Sequence, residues 1–560
     1  MDTSEKRLSH YLMLLGIIFL GVALRFWHLD FKPLWLDEVI TALVTLGHGY
    51  DDVPKSEVFG VEQLQQLFTL KKEVSCAVII QTLINQSTHP PIFFCLLHSW
   101  LSLLKPNFNN VIWAMRSLPA IFGVCAIAVV YFLNRIAFSP TAGLLGAAIM
   151  AVSPFGVYLS QEARHYTLAI LLISLALLAL IKIQQDIYQQ LPPRPLIWIM
   201  WAIFNSISCY IHYFCILSLV AQIFTLTLLF YLQRHTIASQ RQIKVATLTI
   251  IGICLSYLPW FPILIKHFGQ PETNWLVPPQ NLTPFYQIVI NWLLMVISLP
   301  VEEQQIWIKI PSALLTLIFA IWFGWQVIQG LHKLCQQPAT QPSVITLGSF
   351  IIGVLLEFIV ITYLLKKDIT AVPRYHFVYF PAICALFAAS IAINIKQPNY
   401  IFLYRNHPFL IVTLVGYISS ILVGFNIIYQ KPYQPEQFAQ TLNIKQPIPV
   451  MVVAEYGDSQ DLALELSFML ALSNVRANNF VNNTDIFFAF LPKTPVRKLF
   501  WQNLLNLPSK TIFPLDLWVF SNRIEPLFYP KKILLEGDKN CVIDSNHSYM
   551  NKNFYRLYKC

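Results

Sequence analysis

Apolar runs of about 17 to 24 residues recur along this 560-residue chain, and each is long enough to cross the hydrocarbon core of a bilayer as a helix. Length alone would suggest about three or four soluble domains. Composition argues against that. Only 12% of residues are charged, 56% are hydrophobic and the mean hydropathy is +0.56, whereas a water-exposed surface needs roughly 25% charged residues. The expectation is one large all-α polytopic membrane domain.

The runs fall at Tyr11–Trp27, 111–134, 141–159, 166–182, 196–212, 214–232, 243–265, 308–329, 343–364, 373–393 and 408–429, about eleven crossings. The first follows Lys6 and Arg7 but has Arg25-Phe-Trp where a cleavage site would be expected, so it reads as a retained helix with a cytoplasmic N-terminus. With the loop 28–110 outside, the inner loops hold Arg135, Lys182 with Arg194, Arg234 with Arg241 and Lys244, Lys333, and Lys396 with Arg405, as the positive-inside rule asks. Lys366 and Lys367 are the exception on the outer side. Two shorter apolar stretches, Pro90–Leu104 and Phe285–Leu299, read as helices in the outer interface. The expected location is the inner (plasma) membrane, multi-pass.

After residue 430 the composition changes. Strand-like runs at Pro449–Glu455, Asp485–Leu491, Leu517–Ser521 and Phe554–Lys559, with helical spacing over Asp461–Leu472, predict a small extracytoplasmic α/β domain over 431–560, set against a membrane domain over 1–430. Cys95, Cys125, Cys209, Cys215, Cys254 and Cys384 lie in apolar segments and read as packing residues, while Cys541 and Cys560 could pair in an oxidising compartment. The net charge of +10 is spread over short loops rather than gathered in a stripe, which argues against a nucleic-acid partner. No CxxC or His/Cys cluster points to zinc.

Several polar groups collect on the predicted outer face. Asp37 and Glu38 follow the first helix, and two carboxylates against an apolar wall are costly unless used, which makes them general-base candidates; a solvated interface acid is the plain alternative. His89, in Thr88-His89-Pro90-Pro91, starts from a rigid backbone and could donate to a phosphate or orient an acid, or could be incidental to a helix start. In Ser160–Tyr166, Glu162 and Arg164 could pair with each other, or Arg164 could serve an anion. Arg116, Arg374-Tyr375, His212-Tyr213 and Lys366-Lys367 lie on the same face. Juxtamembrane arginines usually face a cavity, and the bidentate fork suits phosphate.

In order and spacing, Trp35-Leu36-Asp37-Glu38, His89-Pro90-Pro91, Arg116-Ser-Leu-Pro with Phe122-Gly123, Ser160-Gln161-Glu162-Ala163-Arg164-His165-Tyr166, His212-Tyr213-Phe214, Leu258-Pro259-Trp260 and Pro373-Arg374-Tyr375 resemble the bacterial dolichyl-phosphate-mannose protein mannosyltransferase-like family, of the C-type glycosyltransferase fold and related to the lipid A aminoarabinose transferases. The resemblance covers roughly residues 10 to 395. His165 departs from it, where Pro or a small residue would be expected.

The resemblance implies sugar transfer from a polyprenyl-phosphate donor in the membrane to an acceptor hydroxyl on a protein, lipid or glycan, outside the membrane. By it Asp37 is the base and Glu38 positions the acceptor or tunes Asp37. Inversion follows from one displacement. Arg116, Arg164 and Arg374, with His89 or Lys366 and Lys367, would stabilise the departing phosphate, and Glu162, Tyr166 and Tyr375 would complete the donor site. A divalent cation would be compatible with such a site but nothing requires one. The competing class is a transporter or flippase for the same lipid-linked sugar, although the polar groups gather at one face rather than at the bilayer midplane. A ligase or polymerase moving a whole oligosaccharide is the neighbouring enzyme reading.

Overall fold

The computed structural model describes residues 3–234, 237–270, 275–302, 304–395, 407–442, 448–478, 486–494, 497–507, 513–520, 529–535, 539–551 and 553–560. Lys396 and Arg405, used above for orientation, lie outside the described residues. The chain forms two compact units. One comprises Met1–Leu29, Ser87–Phe93 and Arg116–Gln430; the other comprises Asp30–Gln86, Phe94–Met115 and Lys431–Cys560. The greater part of the loop 28–110 thus clusters with the C-terminal segment rather than with the helices that flank it.

The protein is mostly helical. Among the described residues seven helices are long and apolar enough to cross a membrane: Arg7–Phe26, Phe108–Ala137, Tyr166–Tyr188, Cys215–Leu232, Ile306–Gln336, Gln341–Leu364 and His407–Gly424. Two bent pairs, Pro140–Val152 with Pro154–Ser160 (57°) and Gln240–Tyr257 with Phe261–Phe268 (66°), bring the number to nine if each is one span. The other two of the eleven expected runs form shorter apolar helices. Pro195–Cys209 has 15 residues and Phe380–Ala392 has 13, and at about 1.5 Å per residue both fall short of a hydrocarbon core about 30 Å thick. In the second case the run expected from 373 begins with a 3-10 segment, Pro373–Val378, and the α-helix starts only at Phe380.

The 57° bend shows how apolar surroundings tolerate a broken helix. A break leaves carbonyls without intrahelical partners, which is costly unless other groups supply donors. Arg25, 1% exposed, donates to the carbonyls of Met150 (2.8 Å) and Ala151 (2.9 Å), and Ser420 donates to that of Val152 (2.8 Å). Ser153 caps the next helix by accepting from the Gly156 amide (3.1 Å). The redirected helix delivers the Ser160–Tyr166 segment. Gly123 makes room for it, because a Cβ there would stand 2.2 Å from the Ser160 hydroxyl oxygen.

In the second unit a seven-stranded sheet is built from β1 (Val58–Gly60), β2 (Val450–Tyr456), β3 (Ile486–Pro492), β4 (Asp516–Phe520), β5 (Lys532–Leu535), β6 (Lys539–Asn551) and β7 (Asn553–Lys559), in the order β1-β3-β2-β4-β7-β6-β5. Strands β2, β3 and β4 are parallel. Parallel neighbours need long crossovers, and the helices Ser459–Asn478 and Arg497–Leu505 fall in those two connections. One face buries Met451, Val453, Leu491, Leu517 and Val519 with Phe500 and Leu504. The first loop contributes β1, antiparallel to β3 with Val58 opposite Ala489.

Two disulfides belong to this unit, Cys541–Cys560 and Cys76–Cys95. The second corrects the reading of Cys95 as a packing residue. Cys76 opens the helix Cys76–Gln86, and Cys95 lies in the first turn of Ile92–Leu104, with their Cα atoms 5.3 Å apart.

Candidate functional site

In the first unit, helix ends and short loops bring a polar cluster together. Helix Pro154–Ser160 stops at Gln161, whose side-chain amide donates to the carbonyls of Leu24 (3.2 Å) and Trp27 (3.0 Å). The chain turns tightly, the Arg164 amide donating to the Glu162 carbonyl (2.7 Å), and restarts as a helix at Tyr166. Glu162, Arg164, His165 and Tyr166 are all buried.

From this turn the Arg164 guanidinium donates through Nη2 to Nε2 of His89 (2.8 Å) and lies 6.0 Å from the Tyr166 ring centroid. Nδ1 of His89 stands 2.8 Å from the Ser87 hydroxyl. An arginine has only donors, so Nε2 must carry a lone pair and the proton sits on Nδ1. In this arrangement Nε2 of His89 is engaged as the acceptor of the Arg164 guanidinium.

A histidine and aromatic layer continues from there. His165 packs between His89 (ring centroids 5.4 Å apart) and His212 (4.6 Å), and His212 packs against Phe377 (4.9 Å) and Tyr166 (5.7 Å). The Phe214 amide donates to Nδ1 of His212 (2.9 Å), which leaves Nε2 as that ring's donor when neutral. On the far side, the Arg374 guanidinium lies 5.6 Å from both Trp275 and Tyr375, and Tyr375 packs on Phe214 (4.7 Å). The 66° bend at Leu258–Trp260 places the Trp260 indole so that it donates to the Tyr213 hydroxyl (3.2 Å), which in turn meets Nδ1 of His267 (2.7 Å).

Electrostatics keep this layer neutral apart from the arginines. Burial, reinforced by Arg164, pushes the His89 imidazole well below the usual range. Burial and the neighbouring His212 and Arg164 do the same to His165. His212 is pushed down to about 3 by burial, then by Arg164 and Arg374. The outcome is two guanidiniums set among neutral histidines and aromatic rings in partly desolvated surroundings, where an anion would interact more strongly than in water.

The remaining first-unit candidates make other contacts. Arg116, 1% exposed, donates to the carbonyl of Leu29 (2.9 Å). Lys366 is exposed at φ 55°, and the Lys367 ammonium lies 5.8 Å from the Phe268 ring. Sequence reasoning did not select His267, Trp275 or Phe377. Only the tertiary fold brings them to Tyr213, Arg374 and His212.

Asp37 and Glu38 belong to the second unit, in the first turn of helix Leu36–Thr45. Trp35 is the extended N-cap, and its carbonyl accepts from the amides of Glu38 (2.8 Å) and Val39 (3.0 Å). The helix dipole favours carboxylates in this turn. Glu38 is 1% exposed and Asp37 half-buried.

Residues 88–260 match the family model described as dolichyl-phosphate-mannose-protein mannosyltransferase. ArnT from Cupriavidus metallidurans bound to undecaprenyl phosphate superimposes with a TM-score of 0.55 at 12% identity, covering 99% of this chain and 98% of that one. Over residues 88–260 the chain resembles the dolichyl-phosphate-mannose-protein mannosyltransferase family, and as a whole it shares the fold of ArnT. The apo form of the same ArnT gives a TM-score of 0.53 at 12% identity, covering 98% and 97% of the two chains. The Archaeoglobus fulgidus oligosaccharyltransferase in its apo form gives 0.48 at 14% identity, covering 83% and 64%. The sequence has no match among curated proteins. The matched family segment contains His89, Arg116, Glu162, Arg164, Tyr166 and His212, whereas Asp37, Glu38, Lys366, Lys367, Arg374 and Tyr375 lie beyond it.

Proposed function

We propose that this chain is a membrane glycosyltransferase that moves a sugar from a polyprenyl-phosphate donor to an acceptor hydroxyl of a protein, lipid or glycan on the extracytoplasmic side, with inversion. The observation that carries the reading is the pair Arg164 and Arg374, held in one neutral histidine and aromatic layer. Two fixed guanidiniums suit the phosphate of a donor and the charge that grows on it as the sugar leaves. His89 sets the direction of Arg164, and Tyr166 and Tyr375 flank the two arginines.

In this mechanism Asp37 takes the proton of the acceptor hydroxyl, the oxygen attacks the anomeric carbon, and the bond to the polyprenyl phosphate breaks with its electron pair going to the phosphate. Glu38 positions the acceptor or tunes Asp37. Glu162, Lys366, Lys367 and Arg116 are secondary candidates on the donor side. The arginines supply the positive charge, so the reading calls for no metal; activity that survives exhaustive chelation would agree with it.

The extracytoplasmic placement of the first loop and the C-terminal segment is supported by the two disulfides, Cys76–Cys95 and Cys541–Cys560, which persist in oxidising compartments. The proposed setting is the inner membrane with a cytoplasmic N-terminus. The test is transfer of radiolabel from a panel of polyprenyl-phosphate sugars in membranes containing wild type or Asp37→Asn at matched levels. A wild-type signal lost in the variant supports the mechanism. An unchanged signal sinks the base assignment.

A further inference from the structure

The helix Ser459–Asn478 joins the C-terminal sheet to the segment that carries Asp37 and Glu38. Serine within a helix commonly bonds back to a carbonyl of its own preceding turn. Ser467 instead donates to the carbonyl of Leu34 across 2.5 Å, a partner 433 positions away, and both residues are buried. The Leu34 carbonyl precedes the N-cap. The helix Leu36–Thr45 draws its first bonds from the Trp35 carbonyl, so the ladder has no use for Leu34, and Ser467 gives this buried acceptor its donor.

A second attachment falls on the next residue. The Lys431 ammonium stands 4.2 Å from the centroid of the Trp35 ring, within cation–π range, and that ring is 7% exposed. The two attachments grip consecutive residues immediately before the turn that holds Asp37 and Glu38.

The gripping helix is itself fixed from its other side. The Tyr555 hydroxyl on β7 lies 3.2 Å from both carboxylate oxygens of Glu465, which is 0% exposed. Glu465 and Ser467 are two residues apart, or about 200° around a helix. One face is thus tied to the sheet and the other to Leu34. The first loop is held again at β1, whose three residues pair with β3.

We propose that the C-terminal domain is a working part of the transferase, in which Ser467 and Lys431 are positioning residues that fix the Leu34–Glu38 segment. This rests on the reading of Asp37 as the base. A carboxylate displaced by about 1 Å can lose on the order of a hundredfold in rate. The domain thus sets kcat through the backbone that presents Asp37, without itself binding donor.

The test uses the full chain in lipid nanodiscs and two readouts, steady-state transfer and hydrogen exchange over residues 34–45. For Ser467→Ala we expect kcat to fall about tenfold with donor KM within about twofold, Ser467→Thr restoring it because the hydroxyl returns. Lys431→Gln should lose about fivefold, with most recovered in Lys431→Arg, since Arg keeps the cation over the ring. In both loss variants exchange over 34–45 should quicken while β2, β3 and β4 keep their protection. Unchanged kcat and unchanged exchange overturn the proposal, and so does a general loss of protection across the sheet, which would make Ser467 an ordinary core residue. Asp37→Asn is run alongside. If that variant retains full activity the base assignment has failed, while the exchange result still decides whether the C-terminal domain fixes the segment.

Discussion

Arg164 donates through Nη2 to Nε2 of His89 across 2.8 Å, a bond that exists only while His89 is neutral with its proton on Nδ1. Burial and the arginine charge favour that state. The substitution His89→Gln can keep an acceptor for Arg164, whereas His89→Ala cannot. We expect about a tenfold rise in donor KM for His89→Ala, corresponding to about 1.4 kcal/mol, with His89→Gln closer to wild type. Steady-state kinetics over a donor series checks this ordering, and equal effects of the two variants would contradict an orienting role.

In the proposed mechanism Arg374 bears on the same phosphate from the other side of the layer. Hydrogen bonds from a charged group are worth about 1.5–3 kcal/mol, so Arg374→Ala and Arg164→Ala should each weaken binding of a polyprenyl phosphate by roughly ten- to a hundredfold. Lysine replacements should recover only part, because a point charge lacks the planar fork. Displacement of a fluorescent polyprenyl phosphate measures this without requiring turnover.

Much of this architecture is legible in the sequence, for identifiable reasons. The long apolar runs and the strand runs near 450, 486, 517 and 554 have strong local periodicity, and the structure has helices and strands there. The break at Ser153–Pro154 was not legible, because both halves are apolar and the donors that satisfy it, Arg25 and Ser420, lie more than a hundred residues away. The 3-10 segment Pro373–Val378 hid within an apolar run for the same reason. Strand β1 is three residues long and gains its identity only by pairing with β3. At the site, Arg164 and Arg374 stood out as arginines beside apolar spans. His165 stood out only as a departure from the family pattern, and its place between His89 and His212 is a product of the fold.

The buried histidines give a stability that depends on pH in a definite direction. His89, His165 and His212 have folded values below the ordinary 6.5, His212 at about 3. Below pH 6.5 the unfolded chain takes up protons that the folded chain refuses. Their contribution is therefore fully present above about 6.5 and is lost as pH falls toward the folded values. A fully buried histidine such as His165 costs about 1.4 kcal/mol per pH unit in that window. Thermal unfolding in nanodiscs between pH 7.5 and 5 should show falling stability, with a shallower slope in His165→Gln. Added polyprenyl phosphate should raise the unfolding midpoint, because an anion that binds only the folded chain stabilises it. A slope unchanged by His165→Gln would contradict a histidine held neutral by burial.

The disulfides yield a prediction about assembly. Each closes a sequence separation of 19 residues, Cys76–Cys95 between two helices of the second unit and Cys541–Cys560 at the end of the sheet. Closing a loop of that size stabilises the folded state by about 3 kcal/mol on the chain-entropy account. Alkylation of the denatured, unreduced protein should leave these four cysteines unlabelled and label Cys125, Cys209, Cys215, Cys254, Cys335 and Cys384. Cys541→Ser should lower the unfolding midpoint of the C-terminal domain more than that of the membrane helices, since Cys560 hydrogen-bonds through its backbone to Leu515, the residue preceding β4. Expression in cells unable to oxidise exported thiols should give the same defect in the wild-type chain. Full labelling of all ten cysteines in protein from an oxidising host would overturn both the pairing and the extracytoplasmic placement that it supports.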